Sequence, residues 1–331
     1  MVKMTEKRIE QYYQNETKKI ELKLNNAFKT NLPKSLYDPC QYALETGGKR
    51  LRPFLVIMSA QAVGGKPKSV YNAAIAVEIL HNFTLIHDDI MDNADIRRGR
   101  ISLHKKYNEN TAILAGDNLM AVAYQYLTKD CKNNVNEIIN HFTQGIIEIC
   151  EGQSYDKDFE LKKNVTIDEY LLMIRKKTAA LVEMCCFIGA KIVGGTDSDV
   201  KNMANYGRNL GLAFQLQDDL LDIFGDEKKF GKTVGGDLVE GKKTFLFLKA
   251  LEKSKGEDRK LLIKVIVNKG IRKNQISKYR DLYEKLGVID ETKKEIRKYS
   301  KNALKCVSKV KQPEAREILY WLTHKLVDRI N

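Results

Sequence analysis

Two aspartate-rich motifs of one pattern are the residues most suited to chemistry in this sequence. Residues 88–92 read Asp-Asp-Ile-Met-Asp and residues 218–222 read Asp-Asp-Leu-Leu-Asp. On an α-helix residues i and i+4 lie on the same face, so each motif places two carboxylates one above the other. Mg²⁺ prefers oxygen ligands, typically one or two carboxylates together with substrate phosphates. Two facing motifs therefore predict a site that holds a diphosphate through metal ions.

The residues before each motif argue against ordinary surface charge. A single motif of this kind is often only a solvated helix face. Here, however, segments 81–87 and 211–217 are largely apolar. Carboxylates at the ends of buried helices need partners or metal, because removing them from water is costly. We therefore interpret both motifs as metal sites.

Two basic segments accompany the first motif. Residues 47–53, GGKRLRP, place three cations beside a glycine pair. Glycine lets the backbone approach a phosphate closely, and Arg supplies forked donors. Taken alone, such a turn is more often a solvated loop. Arg97 and Arg98 follow the first aspartate motif within a few residues, and this combination of cations and metal-binding anions indicates a diphosphate substrate.

The segments that carry these residues have the helical period. Strand-like alternation is nearly absent, and glycine-rich breaks separate the helical segments. Several central segments are apolar on most sides, as expected for buried members of a bundle. The sequence predicts an all-α fold. The clearest helical segments are residues 9–28, 70–90, 111–127, 137–153, 167–192, 200–224 and 315–330.

Length and composition favour one domain spanning residues 1–331. The chain has 331 residues, 43% of them hydrophobic, and only 5 Pro. The helical arm at 1–33 and the helices of 251–331 are the least defined parts. Six Cys residues without metal-binding spacing suit a reducing compartment. Without an apolar signal core or a run of about 18 apolar residues, the protein is expected in the cytoplasm.

The net charge of +14 requires an explanation, because an excess of Lys and Arg can indicate nucleic-acid binding. No nucleic-acid-binding motif is present, and aromatic residues are not interleaved with the basic runs. The stretch 252–278 mixes both signs and is interpreted as the solvated face of short helices. An anionic small substrate explains part of the charge, and attraction to a membrane surface explains more.

Taken together, the motifs resemble those of the head-to-tail trans-isoprenyl diphosphate synthases. The resemblance runs from about residue 35 to residue 244 and implies a helical bundle around a central catalytic cavity, a homodimer and Mg²⁺ dependence. The implied substrates are isopentenyl diphosphate and an allylic diphosphate, namely dimethylallyl, geranyl or farnesyl diphosphate. No nucleic-acid partner is expected. Peripheral contact with a membrane is expected for release of the product. In family order the motifs are GGKRLRP, HNFTLIHDDIMD, RRG, AGDNLM, EGQSYD, KTAAL, FQLQDDLLD and GKTVGGDLVEGKKT.

The resemblance also implies roles for individual residues. Asp88 and Asp92 match positions that bind Mg²⁺ on the allylic diphosphate, and Asp89 matches the position that orients them. Asp218 and Asp222 match positions that bind a further Mg²⁺ ion. The resemblance implies three ions once substrate is bound. Residues that match the isopentenyl diphosphate site are Lys49, Arg52, His81 and Arg98. Residues that match positions clasping the allylic diphosphate are Arg97, Lys177, Thr178, Gln215, Lys232 and Lys242. Residues expected to act in catalysis itself are Asp88, Asp89, Asp92, Arg97, Lys177, Asp218 and Lys232.

Other residues in the family motifs are expected to play supporting parts. Asp117, Gln153 and Asp156 are interpreted as structural neighbours of the site. The sequence departs from the family at 245–246, where Phe-Leu replaces a frequent Leu-Pro. That departure affects how the next helix begins and touches no ligand.

Product length is predicted from the residues one helical turn before the first motif. With about 3.6 residues per turn, Thr84 and Phe83 lie four and five positions before Asp88, on or near its face. In the family, one aromatic at the farther position with no insertion in the motif resembles the archaeal-type geranylgeranyl diphosphate synthases. We therefore expect a twenty-carbon product, geranylgeranyl diphosphate. The alternatives are a farnesyl (fifteen-carbon) or geranylfarnesyl (twenty-five-carbon) product.

Three other classes of protein share part of the pattern. A terpene cyclase of related fold also ionises a diphosphate, but its second metal motif would be of Asn/Ser/Glu type, whereas the second motif here repeats the first. A non-catalytic partner subunit would lack the motifs, and both are intact. A nucleic-acid-binding protein is supported by charge alone, and a salt-dependent binding assay would distinguish it.

Overall fold

The chain is almost wholly α-helical in the computed structural model, which describes residues 4–45, 47–225 and 234–327. The all-α prediction is confirmed. The described residues form two compact units. The first contains the chain up to Phe142 together with Cys185–Ala204 and Val310–Leu319. The second contains Thr143–Met184, Asn205–Lys309 and the chain from Tyr320.

The helices follow one another with short connections. Up to residue 161 they are α1 (Glu6–Leu24), α2 (Lys34–Leu44), α3 (Leu51–Ala62), α4 (Tyr71–Met91), α5 (Leu103–Lys106), α6 (Glu109–Asp130) and α7 (Val135–Leu161). After it come α8 (Ile167–Ile174), α9 (Ala180–Ile192), α10 (Asp197–Phe224), α11 (Gly236–Val239), α12 (Phe245–Lys253), α13 (Gly256–Asn268), α14 (Ile276–Lys285), α15 (Val288–Val307) and α16 (Pro313–Val327). Short 3₁₀ turns lie at Pro67–Ser69 and Lys273–Gln275, and a two-stranded ladder pairs β1 (Ile96–Arg97) with β2 (Arg100–Ile101).

Side-chain caps begin several of these helices. The Asn108 side chain accepts a hydrogen bond of 2.8 Å from Thr111 N at the start of α6. Thr166 and Glu169 form a reciprocal capping box at the start of α8. Such caps satisfy backbone N–H groups that have no partner within the helix. The polar residues between the apolar segments therefore define where these helices start.

In the first unit, α4 is the central packing element. Its residues from Ala73 to Phe83 are buried on all sides of the helix. This agrees with its nearly uniform apolar sequence, since a helix that is apolar all round is a buried one. A Cβ at Gly189 of α9 would lie only 2.1 Å from the backbone oxygen of Val56 in α3. The two helices pack closely because that position has no side chain.

In the second unit, a continuous apolar core connects the middle of the chain with its later helices. Residues of α8 and α10 share this core with Phe247 of α12, Leu262 of α13 and Tyr283 of α14. Phe245 and Leu246, the predicted departure from the family pattern, are the first residues of α12 and are both buried. The helical pattern after residue 250 therefore corresponds to packed helices.

The structure changes several predicted helix boundaries, most of all that of α7, which runs from Val135 to Leu161 instead of from residue 137 to residue 153. The segment predicted as one helix over 167–192 contains a π-helical turn at Arg175–Ala179, between α8 and α9. The first predicted helix ends at Leu24 instead of residue 28, and the last is described only to Val327. The hairpin at 96–101 was not predicted. None of the described helices combines the length and the apolar character needed to cross a bilayer.

Candidate active site

The first aspartate motif lies at the C-terminal end of α4. Asp88 belongs to the last turn, and Asp92 is the C-cap residue and exposed. The C-terminal end of a helix carries partial negative charge, so carboxylates there raise the local negative potential. Asp89 is buried instead and accepts a 2.7 Å hydrogen bond from Nε of Arg97 and a second from its Nη2. Asp88 and Asp92 are thus accessible to a cation, while Asp89 fixes Arg97 of β1.

Arg50 anchors the basic loop that precedes α3. It has a left-handed backbone (φ 46°), and its side chain is buried. The guanidinium donates to Glu21 Oε2 at 2.5 Å, to Glu78 Oε1 at 2.6 Å and to the backbone oxygen of Leu44 at 2.8 Å. Sequence analysis missed this role. A single Glu within the apolar stretch of α4 was the available signal, because a buried carboxylate requires a partner.

The residues predicted to bind isopentenyl diphosphate lie around this loop. Arg52 Nη1 is 3.1 Å from Nε2 of His81. Arg98, at the turn of the hairpin, donates to the backbone oxygen of Gly47, and a Cβ at Gly48 would lie 2.7 Å from Arg98 Nη1. Lys49 is the next residue of the loop. The structure therefore brings the four predicted residues to one region.

Burial and neighbouring cations keep His81 neutral. His81 is buried in α4, and burial together with the positive charges of Arg52 and Arg98 holds its pKa well below the ordinary value. A neutral imidazole can accept at Nε2 from Arg52. This arrangement leaves the positive charge of the loop on Lys and Arg, as a diphosphate site requires.

The two predicted chain-length residues have different neighbours. The ring of Phe83 contacts that of His87 edge-on, with centroids 4.7 Å apart. His87 lies over Gly116 of α6, where a Cβ would be 2.3 Å from His87 Nε2. Thr84 instead donates to the backbone oxygen of His81 at 2.8 Å. Phe83 therefore lies on the α6 side of α4, whereas the hydroxyl of Thr84 is bonded within α4 itself.

A hydrogen-bonded chain surrounds the second aspartate motif, in the second unit. Thr178 Oγ1 donates to Gln215 Oε1 at 2.8 Å, and Gln215 Nε2 donates to Asp219 Oδ1 at 3.0 Å. The hydroxyl of Tyr170 donates to the other carboxylate oxygen of Asp219. Burial, followed by the charge of Asp237, raises the pKa of Asp219 to about 7. Asp219 therefore organises two of the residues predicted to clasp the allylic diphosphate.

The π-helical turn positions Lys177. Single π-helical turns inside α-helices are rare and are frequent at functional sites. Two glycines pack against this one: a Cβ at Gly152 of α7 would lie 2.2 Å from the backbone N of Lys177, and a Cβ at Gly211 of α10 would lie 2.7 Å from the Cα of Ala179. Lys177 Nζ lies 2.5 Å from Asp156 Oδ2. Asp156, interpreted from sequence as a supporting residue, is thus a direct partner of Lys177.

The carboxylate of Asp237, outside the second motif, lies beside Asp222. The backbone N of Asp237 donates to Asp222 Oδ2 at 3.1 Å, and burial together with the charge of Asp237 raises the pKa of Asp222 to about 7. Lys242 lies 2.8 Å from Glu240 and 3.9 Å from Asp237. Asp237 was not singled out from the sequence, although it lies in a quoted motif. Lys232, predicted to clasp the allylic diphosphate, lies outside the described residues.

A cavity of about 130 Å³ opens beside these groups in the second unit. Lys177, Thr178, Gln215, Asp219 and Lys242 contribute to its polar lining. Its apolar lining includes Phe159, Met173 and Ile174. The cavity therefore brings together four of the residues predicted to clasp the allylic diphosphate, next to an apolar surface.

The donor chemistry of both motifs fits Mg²⁺. All candidate ligands are carboxylate oxygens, which hard divalent cations prefer. Within the described ranges, no three His, Cys, Asp or Glu residues already form a metal-binding group. An ion would therefore take its remaining ligands from phosphate oxygens and water. Burial, followed by the charge of Asp237, raises the pKa of both Asp219 and Asp222, and a bound cation would favour their charged forms.

Comparison with known proteins extends over most of the chain. Residues 33–286 match the family described as polyprenyl synthetase. A geranylgeranyl diphosphate synthase of Sulfolobus acidocaldarius is 41% identical over 307 residues, covering 90% of this chain and 92% of the relative. A geranylfarnesyl diphosphate synthase of Natronomonas pharaonis is 40% identical over 236 residues, covering 66% and 69%. The crystal structure of a geranylgeranyl pyrophosphate synthetase from Pyrococcus horikoshii has a TM-score of 0.89 and 34% identity, covering 98% and 99%.

Proposed function

This chain belongs to the polyprenyl synthetase family and is a short-chain trans-prenyltransferase, and we propose that it makes geranylgeranyl diphosphate. The observation that carries the chain-elongation part of the proposal is the presence of two sets of cations. One set, on the basic loop and hairpin, is Lys49, Arg52 and Arg98. The other, Lys177 and Lys242, lines the cavity beside the second motif. Chain elongation requires two diphosphate substrates, whereas a terpene cyclase requires one.

The proposed reaction needs no protein nucleophile. Mg²⁺, when bound through Asp88, Asp92, Asp218 and Asp222, would supply Lewis-acid stabilisation of the allylic diphosphate. The allylic C–O bond breaks, and its electron pair leaves with the diphosphate. The double bond of isopentenyl diphosphate then forms the new C–C bond, and a proton passes to the departed diphosphate. Lys177, held by Asp156, is proposed to neutralise the diphosphate as the bond breaks, and the loop cations to hold the second substrate.

The proposed product has twenty carbons. The names of the relatives from Sulfolobus and Pyrococcus support it, and the Natronomonas relative supports the twenty-five-carbon alternative. In this chain Phe83 is large and nearly buried, whereas Thr84 is small and half-buried. We propose that Phe83 limits the growth of the prenyl chain.

Assembly, metal content and location are also proposed. An exposed apolar pair on α6, Ile113 and Leu114, supports a homodimer. All six cysteines are free thiols, which supports a reducing compartment such as the cytoplasm. We propose three Mg²⁺ ions with substrate bound, on the basis of the two carboxylate motifs and two substrate diphosphates.

A product assay tests this function. The purified protein is incubated with labelled isopentenyl diphosphate, each allylic starter in turn and Mg²⁺, and the dephosphorylated products are sized by chromatography. We expect a predominant twenty-carbon product that disappears when EDTA removes Mg²⁺. Cyclic hydrocarbons formed without isopentenyl diphosphate would contradict elongation.

Kinetic analysis separates the two substrate sites. Arg52→Ala should mainly raise the KM for isopentenyl diphosphate, because the loop cations are proposed to bind it. Lys177→Ala should act on the allylic substrate instead. Lys201→Ala, an exposed charge outside the site, serves as the control. Equal effects of both site variants on both substrates would contradict the assignment.

A further inference from the structure

Two exposed aliphatic side chains lie on the outer face of α13. Ile263 is 43% exposed and Val267 is 72% exposed. Because they are four residues apart, they lie on the same face of the helix. The opposite face carries Leu262 and Val265, which are fully buried in the core of the second unit. The exposed pair is therefore additional to what the fold needs from this helix.

The surroundings of this pair are strongly basic. Residues 259–280 contain eight Lys and Arg residues and no Asp or Glu. All eight except Arg280 are exposed. The acidic residues just before this stretch are already paired: Glu257 with Lys260 at 2.6 Å, and Asp258 with Lys285 at 2.7 Å. The mixed-charge interpretation of 252–278 thus holds only for its first residues.

Several of these cations lie beside the aliphatic pair. On α13, Lys260 lies three residues before Ile263 and Lys264 lies three residues before Val267, so each lysine is beside one of the aliphatic side chains. Lys269 ends the helix, and Lys273 lies in the 3₁₀ turn that follows. We call these four lysines together with Ile263 and Val267 the basic aliphatic face.

We propose that the basic aliphatic face docks on an anionic membrane surface. Helices that bind membranes peripherally combine exposed aliphatic residues with Lys and Arg on one surface. Each cation near an anionic surface strengthens binding by a factor of about five, and the effect is screened by salt. The side chains of Ile263 and Val267 would move out of water into the boundary between the headgroups and the acyl chains, which is favourable for apolar surface.

The composition of the face favours a membrane over a nucleic acid. Binding to single-stranded nucleic acid commonly uses exposed aromatic side chains for base stacking. The aromatic residue of this stretch, Tyr279, is buried. Aliphatic side chains gain nothing from a phosphate backbone. The biological reason for docking rests on the proposed function, since a twenty-carbon prenyl product partitions into a bilayer.

Vesicle sedimentation tests the proposal on the full-length protein. We expect binding to mixed phosphatidylcholine and phosphatidylglycerol vesicles at low salt, little binding to pure phosphatidylcholine, and loss of binding at high salt. Lys264→Glu/Lys269→Glu should weaken binding at least about 25-fold, since two favourable charges are lost. The matched control is Lys132→Glu/Lys201→Glu, which changes the net charge equally at exposed positions elsewhere.

The remaining outcomes separate the alternatives. Ile263→Ser/Val267→Ser should also weaken vesicle binding, and wild-type binding by this variant would overturn the aliphatic contact and with it the proposal. An equal loss in the charge-matched control would show a non-specific charge effect and overturn it too. Tighter binding to RNA or DNA than to vesicles, lost with the same lysines, would assign the face to nucleic acid instead.

An activity control separates this inference from the proposed function. None of the four lysines or two aliphatic residues belongs to the candidate active site, so turnover of the water-soluble diphosphates should be unchanged in every variant. Vesicle binding without prenyltransferase activity would support the face and contradict the proposed function. Activity without vesicle binding would overturn the face alone.

Discussion

Gly152→Ala tests whether close packing against the π-helical turn positions Lys177. The added Cβ would lie 2.2 Å from the backbone N of Lys177, whereas ordinary contacts begin near 3.4 Å. The neighbour is backbone, so it cannot rotate away as a side chain does. Accommodation therefore requires the Lys177 backbone to move by about 1 Å, a displacement that can lower the rate of a positioned reaction about 100-fold.

The stability cost of this substitution should be smaller than the loss of activity. Overpacking costs about 1–3 kcal/mol. Replacing Gly by Ala in a helix regains about 1 kcal/mol. We therefore expect the free energy of unfolding to fall by about 0–2 kcal/mol, while a 100-fold loss in kcat/KM corresponds to about 2.7 kcal/mol of transition-state stabilisation.

Steady-state kinetics with the allylic substrate varied, together with denaturant unfolding, measures both quantities. Gly145→Ala is the matched control on the same helix, since its Cβ would meet the flexible side chain of Met184 at 2.6 Å from the sulfur. This control should retain activity within about 3-fold, because a methionine side chain adapts readily. Wild-type kcat/KM in Gly152→Ala would refute the reasoning.

Three further predictions follow from the first unit and the second motif. Asp88→Ala and Asp218→Ala should each lower turnover at least about 1000-fold, roughly 4 kcal/mol of transition-state stabilisation, with helix content unchanged by circular dichroism; near-native activity in excess Mg²⁺ would remove that motif from the metal site. Phe83→Ala should lengthen the products to twenty-five carbons or more and Thr84→Phe should shorten them to fifteen, as read by chromatography, and an unchanged distribution in both would exclude these residues from chain-length control. Folding lowers the pKa of His81, so below about pH 6.5 the unfolded chain takes up a proton that the folded chain does not. The free energy of unfolding should therefore fall as the pH drops below about 6.5, by up to about 1.4 kcal/mol per pH unit. His81→Gln should flatten this dependence in unfolding experiments between about pH 7.5 and pH 5, and an unchanged slope would show that His81 does not titrate below its ordinary range.

The parts of the fold that sequence predicted are those with strong local signals. The apolar periodicity predicted the ends of α4 to within one residue and those of α10 to within three, and the aspartate motifs lie at the C-terminal ends as expected. The π-helical turn was missed because its packing partners, Gly152 and Gly211, are distant in sequence. The hairpin that carries Arg97 was missed because strands of two residues are too short for alternation to be seen.

The functional roles differ in how far they could be predicted. The family motifs identified the prenyltransferase, and the relatives confirm that class. Motifs do not reveal which charges pair in the folded chain. Arg50 therefore looked like a ligand-site cation, yet it holds the loop through Glu21 and Glu78. The roles of the individual site residues and the single-domain organisation stay predictions, including that of Lys232, which lies outside the described residues.

The π-helical turn also has a consequence for comparing this protein with its relatives. A π turn contains one more residue than the α-helical turn it replaces. A relative with an unbroken α-helix here would align with this chain only if one position of residues 175–179 faced a gap. An ungapped alignment would then misassign every residue after that point by about 100° around the helix. Loss of a single codon in this segment would likewise turn Lys177 away from Asp156 of α7, or Thr178 away from Gln215 of α10, while leaving the apolar composition of α8 and α9 intact.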